Sequence, residues 1–440
     1  GLRLEATYMH SQSQGSQFDG VRAPFERRRV PTFEQTNGVI RTNTDSITGL
    51  VEYDLSPGLK ARTTLSYGDV VIRRFGLPGL GRTRNHSTDF SIETVLQWKP
   101  RPGVQLVGGG HYLTVDQRQR IDITGLRIGT GGFKDRQHSL GLFGELVWRP
   151  TPRLAITADL RHQRDSQDRV GQVGPVGPGI TVDYDEGFQA WLPKLSIAYD
   201  LGPEATIGLL VQRAYNPGGT TVNLATRRQD DFDAERLWNY EAFARIRFAQ
   251  GRGTMSANVF FNDIEDAQRP QTIEFIAANG VPSTTTLIDN APSARVYGAE
   301  VDLGWRATDR LTLRLGAGLL DTKIRRTLSA RDPLLGQEFQ RSPTASATAA
   351  VEWRPIEALH LSAQMRTGSS YYSDDANTRA RRINGYSVVN ARAAYTVGKV
   401  TMFGYVRNLF DNFYLTHLFT PTLGTAGDPR EFGIGIDARF

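Results

Sequence analysis

The feature that most constrains this chain is a hydrophobic period of two, repeated along its whole length. In the last ten residues Phe432, Ile434, Ile436, Ala438 and Phe440 share one face, while Gly433, Gly435, Asp437 and Arg439 share the other. Such alternation marks a strand that is apolar on one side only. About eighteen runs of this kind follow one another. They are joined alternately by tight turns and by long polar connections. The tight turns, at 99–103, 149–153, 202–204, 250–253, 306–310 and 354–358, are rich in Pro, Gly and charge. The long connections are expected at 16–44, 76–84, 120–136, 167–186, 220–235, 271–290, 327–342, 375–384 and 415–430.

The run entering each tight turn ends its apolar face on an aromatic. These residues are Tyr53, Trp98, Trp148, Tyr199, Phe248, Trp305, Trp353, Tyr395 and Phe440. In four runs a second aromatic precedes the first by eight residues on the same face: Phe90, Trp191, Tyr240 and Tyr297. Eight residues of strand tilted by roughly 40° rise about 20 Å, close to the apolar band between the two aromatic girdles of an outer-membrane barrel. The opposite face carries Glu93, Glu241, Glu300, Asp302, Arg392 and Arg439, a polar lining unsuited to a dry interior. A soluble β-sandwich also alternates, but it needs neither that lining nor aromatics at a fixed place before every turn. The fold expected is all-β: a transmembrane, antiparallel, up-and-down barrel with short periplasmic turns and long extracellular loops.

Hydropathy alone hides this. Mean hydropathy is −0.38, and a barrel shows its lipid face only in every second residue. There are no cysteines among the 440 residues, which excludes thiol nucleophiles, thiolate metal sites and disulfides. The net charge of +6 comes from scattered basic residues and predicts no nucleic-acid partner. No catalytic constellation, cofactor motif or metal-ligand spacing is present, so no enzyme is expected. The paired carboxylates Asp230-Asp231 and Asp374-Asp375 are expected in solvated turns, and His10, His86 and His417 at the surface.

Val406-Arg407-Asn408-Leu409-Phe410-Asp411-Asn412-Phe413-Tyr414 resembles the signature on the penultimate strand of TonB-dependent outer-membrane receptors. Its matching residues are Asn408, Leu409, Phe410, Asp411 and Tyr414. The terminal strand to Phe440 is similar, and so are the segments around Phe232–Glu241, Ala294–Glu300 and Tyr215–Gly219. The resemblance implies a barrel of twenty-two strands around an N-terminal plug. Residues 1–440 are then one partial barrel domain, with the plug, signal peptide and about four strands expected upstream. It further implies an outer-membrane location and contact with lipid and lipopolysaccharide. Energy would come from a TonB–ExbB–ExbD complex acting through the missing N-terminus. The ligand would be scarce, with a ferric siderophore expected first. The alternatives are a passive eighteen-stranded porin and a soluble β-protein.

Candidate ligand contacts at the extracellular mouth are Arg227, Arg228, Tyr215, Tyr371, Tyr372 and Arg381. Guanidinium forks suit the carboxylates or catecholates of a chelated metal. The same loop arginines are equally suited to lipopolysaccharide phosphates, and the tyrosines to the girdle.

Overall fold

The structure, a computed structural model, describes residues 1–16, 20–28, 39–75, 81–175, 179–280, 282–329 and 332–438. Eighteen strands form one antiparallel sheet. They are β1 Leu2–Ser16, β2 Val39–Ser56, β3 Leu59–Phe75, β4 Arg82–Arg101, β5 Val104–Asp122 and β6 Thr130–Thr151. Next come β7 Leu154–Val173, β8 Ile180–Gly202, β9 Ala205–Asn216, β10 Glu235–Phe248, β11 Gly253–Ile276 and β12 Pro282–Thr308. The last are β13 Leu311–Arg326, β14 Ala345–Ile356, β15 Leu359–Gly368, β16 Tyr386–Val397, β17 Val400–Arg407 and β18 Glu431–Ala438. Each pairs with the next in sequence, from β1 with β2 to β17 with β18.

Register makes the inner girdle a ring. In five hairpins the first residue of an upward strand lies directly across from the girdle aromatic of the next downward one. Leu59 faces Trp98, Val104 faces Trp148, Leu154 faces Tyr199, Leu311 faces Trp353 and Leu359 faces Tyr395. The backbone fixes this match. The amide after the aromatic donates to the carbonyl that ends the preceding turn: Lys99 to Gly58 at 2.8 Å, Arg149 to Gly103 at 2.7 Å, and Arg354 to Arg310 at 2.8 Å. Gly103 sits at φ +77, and a Cβ there would lie 2.8 Å from the Arg149 carbonyl oxygen, so this turn requires glycine. The ring slips by two residues per hairpin, or one per strand. A 3.3 Å rise against a 4.8 Å strand spacing gives a tilt of about 35°, the value of a closed barrel wall.

The apolar face is bare. Leu142, Leu209, Val259 and Leu319 are all more than half exposed, and Trp98, Trp148 and Trp353 lie open on the same side. Among the described residues no protein layer covers this belt; lipid is its solvent. Phe440 and Arg439 lie outside the described residues. On the lumen side, aromatic rings fill the spaces above glycines. Phe403 lies over Gly435 and Tyr405 over Gly433, where a Cβ would come within 2.3 and 2.7 Å of the rings. That is why the polar face of β18 carries glycine rather than charge at these two positions.

Three expected connections, at 120–136, 167–186 and 271–290, are largely strand: β5 runs to Asp122 before β6 starts at Thr130, β7 runs to Val173 before β8 starts at Ile180, and β11 runs to Ile276 before β12 starts at Pro282. The Gly-, Arg-, Asp- and Gln-rich stretches of the first two read as loop, although 180–185 keeps the alternation of a strand, with Ile180, Val182 and Tyr184 buried and Thr181, Asp183 and Asp185 exposed. Among the described residues no ladder joins β1 to β18. Leu4 is 66% exposed and Ile434 92%, as free sheet edges are.

The midpoint of the belt gives a test. Leu195 lies four residues from each girdle position, Trp191 and Tyr199, and faces outward. Leu195→Arg is expected to cost about 2–4 kcal/mol of folding free energy in bilayers. Ser196→Arg, facing the lumen, is expected to cost under about 1 kcal/mol. Denaturant titration of both variants in lipid vesicles checks the difference.

Candidate functional site: the extracellular mouth

A strand needs only about 9–11 residues to cross a bilayer, yet β8, β11 and β12 have 23, 24 and 27. The excess projects beyond the outer girdle, and the buried apolar clusters lie there. Ile123, Ile128, Phe133, Val173, Ile180, Val182 and Tyr184 form one. Ile264, Ala267, Ala291, Ala294, Ile324 and Leu334 form a second. Tyr371, Ile383 and Leu418 form a third. The loops thus have a packed core of their own.

Charge then ties the loops together. Arg269, on β11, donates to both carboxylate oxygens of Asp375 at 2.6 and 2.9 Å. Its guanidinium stacks on Phe339 at 3.7 Å from the ring centre. The Gln340 amide donates to the same carboxylate at 2.7 Å. The Asp375 side chain is 1% exposed. Three segments distant in sequence therefore meet at one fork-to-carboxylate pair. A second clamp lies beside it: Arg381 donates to the Leu418 carbonyl at 3.0 and 3.1 Å and pairs with Asp374 at 3.1 Å. Asp374 and Asp375 are therefore not solvated turn residues, as their sequence context suggests. His417 is buried as well, contrary to its expected surface position. It accepts from Arg341 Nε at 3.3 Å. Burial, followed by the charges of Arg341 and Arg381, lowers its pKa to about 4, so it is neutral at physiological pH. His10 and His86 pair with Asp45 and Asp69, each at 2.8 Å.

The six candidate contacts fall into separate places. Tyr371 is buried, its hydroxyl donates to the Thr416 carbonyl at 2.9 Å, and burial pushes its pKa up to about 12. Tyr372 is its half-buried neighbour, and its carbonyl accepts from the Arg341 amide at 2.8 Å. Arg381 is 8% exposed within the same cluster. Tyr215, at the end of β9, donates to Asp165 Oδ2 at 2.9 Å. Arg227 and Arg228 sit at the tip of a separate hairpin, Gly219–Asn223 paired with Arg228–Phe232. Arg228 is exposed and Arg227 half-buried. That hairpin leans on the long β11–β12 arm, where the Leu224 amide donates to Thr285 Oγ1 at 3.3 Å. Among the described residues no cluster of carboxylate, histidine and cysteine side chains forms a metal cage.

The 408–414 segment is a folded stop to β17. Asn408, 3% exposed and at φ +45, donates to the carbonyls of Asn412 at 2.9 Å and Asp428 at 3.0 Å. Its Oδ1 accepts from the Asn412 amide at 3.0 Å. Asp411, at φ +52, accepts from the Arg430 amide at 2.8 Å. Asn and Asp tolerate this left-handed backbone better than other side-chained residues. Tyr414 stacks on Tyr386 at 4.4 Å and occupies the space above Gly427. Leu409 bonds back to Val389 at 2.8 Å, and Phe410 is 65% exposed.

Removing one half of the Arg269–Asp375 pair strands a buried charge. Asp375→Ala is expected to cost the loop assembly about 3–5 kcal/mol, whereas the apolar pair Arg269→Met with Asp375→Leu should recover most of it. Amide hydrogen exchange in 332–344 and 369–385 checks both, with protection lost in the first variant and largely restored in the second.

Comparison with known proteins places this architecture. Residues 2–409 match the model of the TonB dependent receptor-like β-barrel family. The ferric yersiniabactin uptake receptor FyuA from Yersinia pestis superposes with a TM-score of 0.84 at 17% identity, over 99% of this chain and 67% of that one. The siderophore receptor PiuA from Acinetobacter baumannii gives 0.81 at 15%, over 99% and 71%. The copper transporter OprC gives 0.70 at 15%, over 92% and 66%. The porin alternative finds no support among these matches. An aromatic-girdled wall, loops clamped above it and a family match over residues 2–409 agree: this chain is an outer-membrane protein of the TonB-dependent receptor β-barrel family.

Proposed function

We propose that this chain is the wall and mouth of an active-transport receptor that captures a ferric siderophore and passes it to the periplasm. The clamped loop assembly carries the reading. A mouth cross-linked by Arg269–Asp375 and Arg381–Asp374 is pre-organised and loses little entropy on binding a ligand. FyuA is described as a ferric yersiniabactin uptake receptor and PiuA as a siderophore receptor, which favours a chelated-iron ligand over copper. Arg227 and Arg228 are proposed as the anion-facing contacts, with Tyr215 and Tyr372 at the rim. Tyr371 and Arg381 hold the mouth's shape. No covalent bond of the ligand is made or broken.

A plug domain inside the wall is part of the proposal. The lumen-facing Glu300 and Asp302 are exposed, and a plug would supply them with hydrogen-bond partners. Further strands of the same polypeptide are proposed to close the gap between β1 and β18. TonB, with ExbB and ExbD, would act on the segment before the wall.

The test is uptake of radiolabelled iron by cells whose own receptors are deleted, supplied with a panel of ferric siderophores. At least one siderophore should be taken up only when TonB is present. Arg227→Glu with Arg228→Glu should weaken its binding at least 10-fold. TonB-independent permeation of small solutes through the intact protein in liposome swelling would contradict the reading.

A further inference from the structure

The lumen face of the wall is electrostatically uneven. On several strands its cations are balanced across the ladder: Arg3 pairs with Glu52 at 3.3 Å, Arg314 with Glu352 at 2.5 Å and Arg407 with Glu431 at 3.0 Å. The neighbouring strands β15, β16 and β17 contain no Asp or Glu at all. They carry two further lumen arginines. The girdle residue Tyr395 faces lipid, so Arg392, three positions earlier, faces the lumen. Leu359 lies across from Tyr395, and Arg366, seven positions on, therefore faces the lumen too.

Neither arginine makes an ion pair among the described residues. Aromatic rings position them instead. Arg366 Nη2 donates to the Tyr414 hydroxyl at 3.1 Å, and Tyr414 stacks on Tyr386. The Arg392 guanidinium lies over the Phe403 ring, 4.4 Å from its centre, and directly across from Tyr405. The one carboxylate in the row of Arg392 is Glu352, two strands away, and Arg314 occupies it. Arg366 lies across from Val388, four residues before Arg392 on β16, so about 13 Å of strand separates the two guanidinium positions. Gln364, exposed, lies between them. The series runs from just inside the mouth nearly to the inner girdle.

Two fixed cations whose charge the wall does not neutralise are poised for an anion. The lumen acids Glu241, Glu300 and Asp302 stand on other strands, β10 and β12, and repel an anion from their side. We infer that the lumen face of β15 to β17 is the path by which a negatively charged metal chelate descends from the mouth, with Arg366 and then Arg392 as successive contacts. Carboxylate or phenolate oxygens of the chelate accept from the guanidinium forks, and its planar rings lie against Phe403 and Tyr405. Two spaced contacts in place of one deep pocket hold the chelate weakly enough for it to leave each in turn. This rests on the reading of the chain as the wall of a chelated-iron receptor.

The test uses the full receptor in cells, with radiolabelled ferric complexes of a tricatecholate, a carboxylate and an uncharged hydroxamate siderophore. Binding is measured in cells lacking TonB and initial uptake in cells containing it. For an anionic complex that the receptor carries, R366Q/R392Q should lower uptake about fivefold or more while binding stays within about twofold. R366K/R392K should keep at least about half of the uptake, because the charge remains. Heat-modified electrophoretic mobility confirms that each variant is folded. Unchanged uptake in the folded glutamine variant, or binding that falls in step with uptake, would overturn the inference. Absence of uptake of every complex by the unmodified receptor would instead defeat the receptor reading, and a second measurement then decides the path. Ser362→Cys lies across from Arg392 and Asn258→Cys across from Glu300. The rate of reaction with an anionic methanethiosulfonate relative to a cationic one should be about 10-fold higher at the first site, and Arg392→Gln should abolish the excess. Equal ratios at the two sites would overturn the inference.

Discussion

A backbone amide in hydrocarbon has no water to bond with, and every unpaired one costs several kcal/mol. That constraint dictates the rest of this protein. It demands antiparallel ladders, and the ladders impose the two-residue side-chain period. The period sorts apolar residues outward, to lipid, and polar residues inward. The repeated bond from the residue after a girdle aromatic to the preceding turn, as from Lys99 to Gly58, sets these hairpins at one height, and at Phe248 the bond comes from the residue before, Arg247 to Glu204. The aromatic ring follows from register, not from side-chain attraction.

The packing is inverted relative to a soluble domain. At membrane depth the large apolar side chains are exposed, as Leu209 and Leu319 are, both at 62%. Buried apolar clusters occur above the membrane, where water returns and the hydrophobic effect acts. Function divides in the same way. The wall provides position and the loops provide the proposed site. The loop site is held by ion pairs that are worth most where they are driest, as at Asp375.

What could be seen in the sequence was what is local. Alternation placed the strands, and Pro-Gly turns with a preceding aromatic placed the girdle. What escaped was whatever depends on contacts far apart in sequence. Arg381 looks like a loop arginine free for a ligand, yet Leu418 and Asp374 occupy it. Nothing near Arg269 announces Asp375, 106 residues away. The strand extensions past Arg120 and Gln167 were hidden for a different reason: their Gly-, Arg-, Asp- and Gln-rich composition reads as loop, while the apolar partners that one face packs against lie on other segments.

Under the same constraint the free edges of β1 and β18 would be a liability in a bilayer, and the further strands proposed above would cover them. These 440 residues contain no cysteine, so cysteine pairs introduced among them can be measured in native outer membranes with a short thiol cross-linker against the unsubstituted receptor as background. Tyr8 lies directly across from Ile47, and the pair Tyr8→Cys with Ile47→Cys should cross-link. If β18 met β1 in the register of the other hairpins, Ile436 would lie opposite Tyr8. The pair Tyr8→Cys with Ile436→Cys should therefore stay uncross-linked in the intact receptor. Efficient cross-linking of that second pair would mean that eighteen strands close on themselves, and would contradict the account.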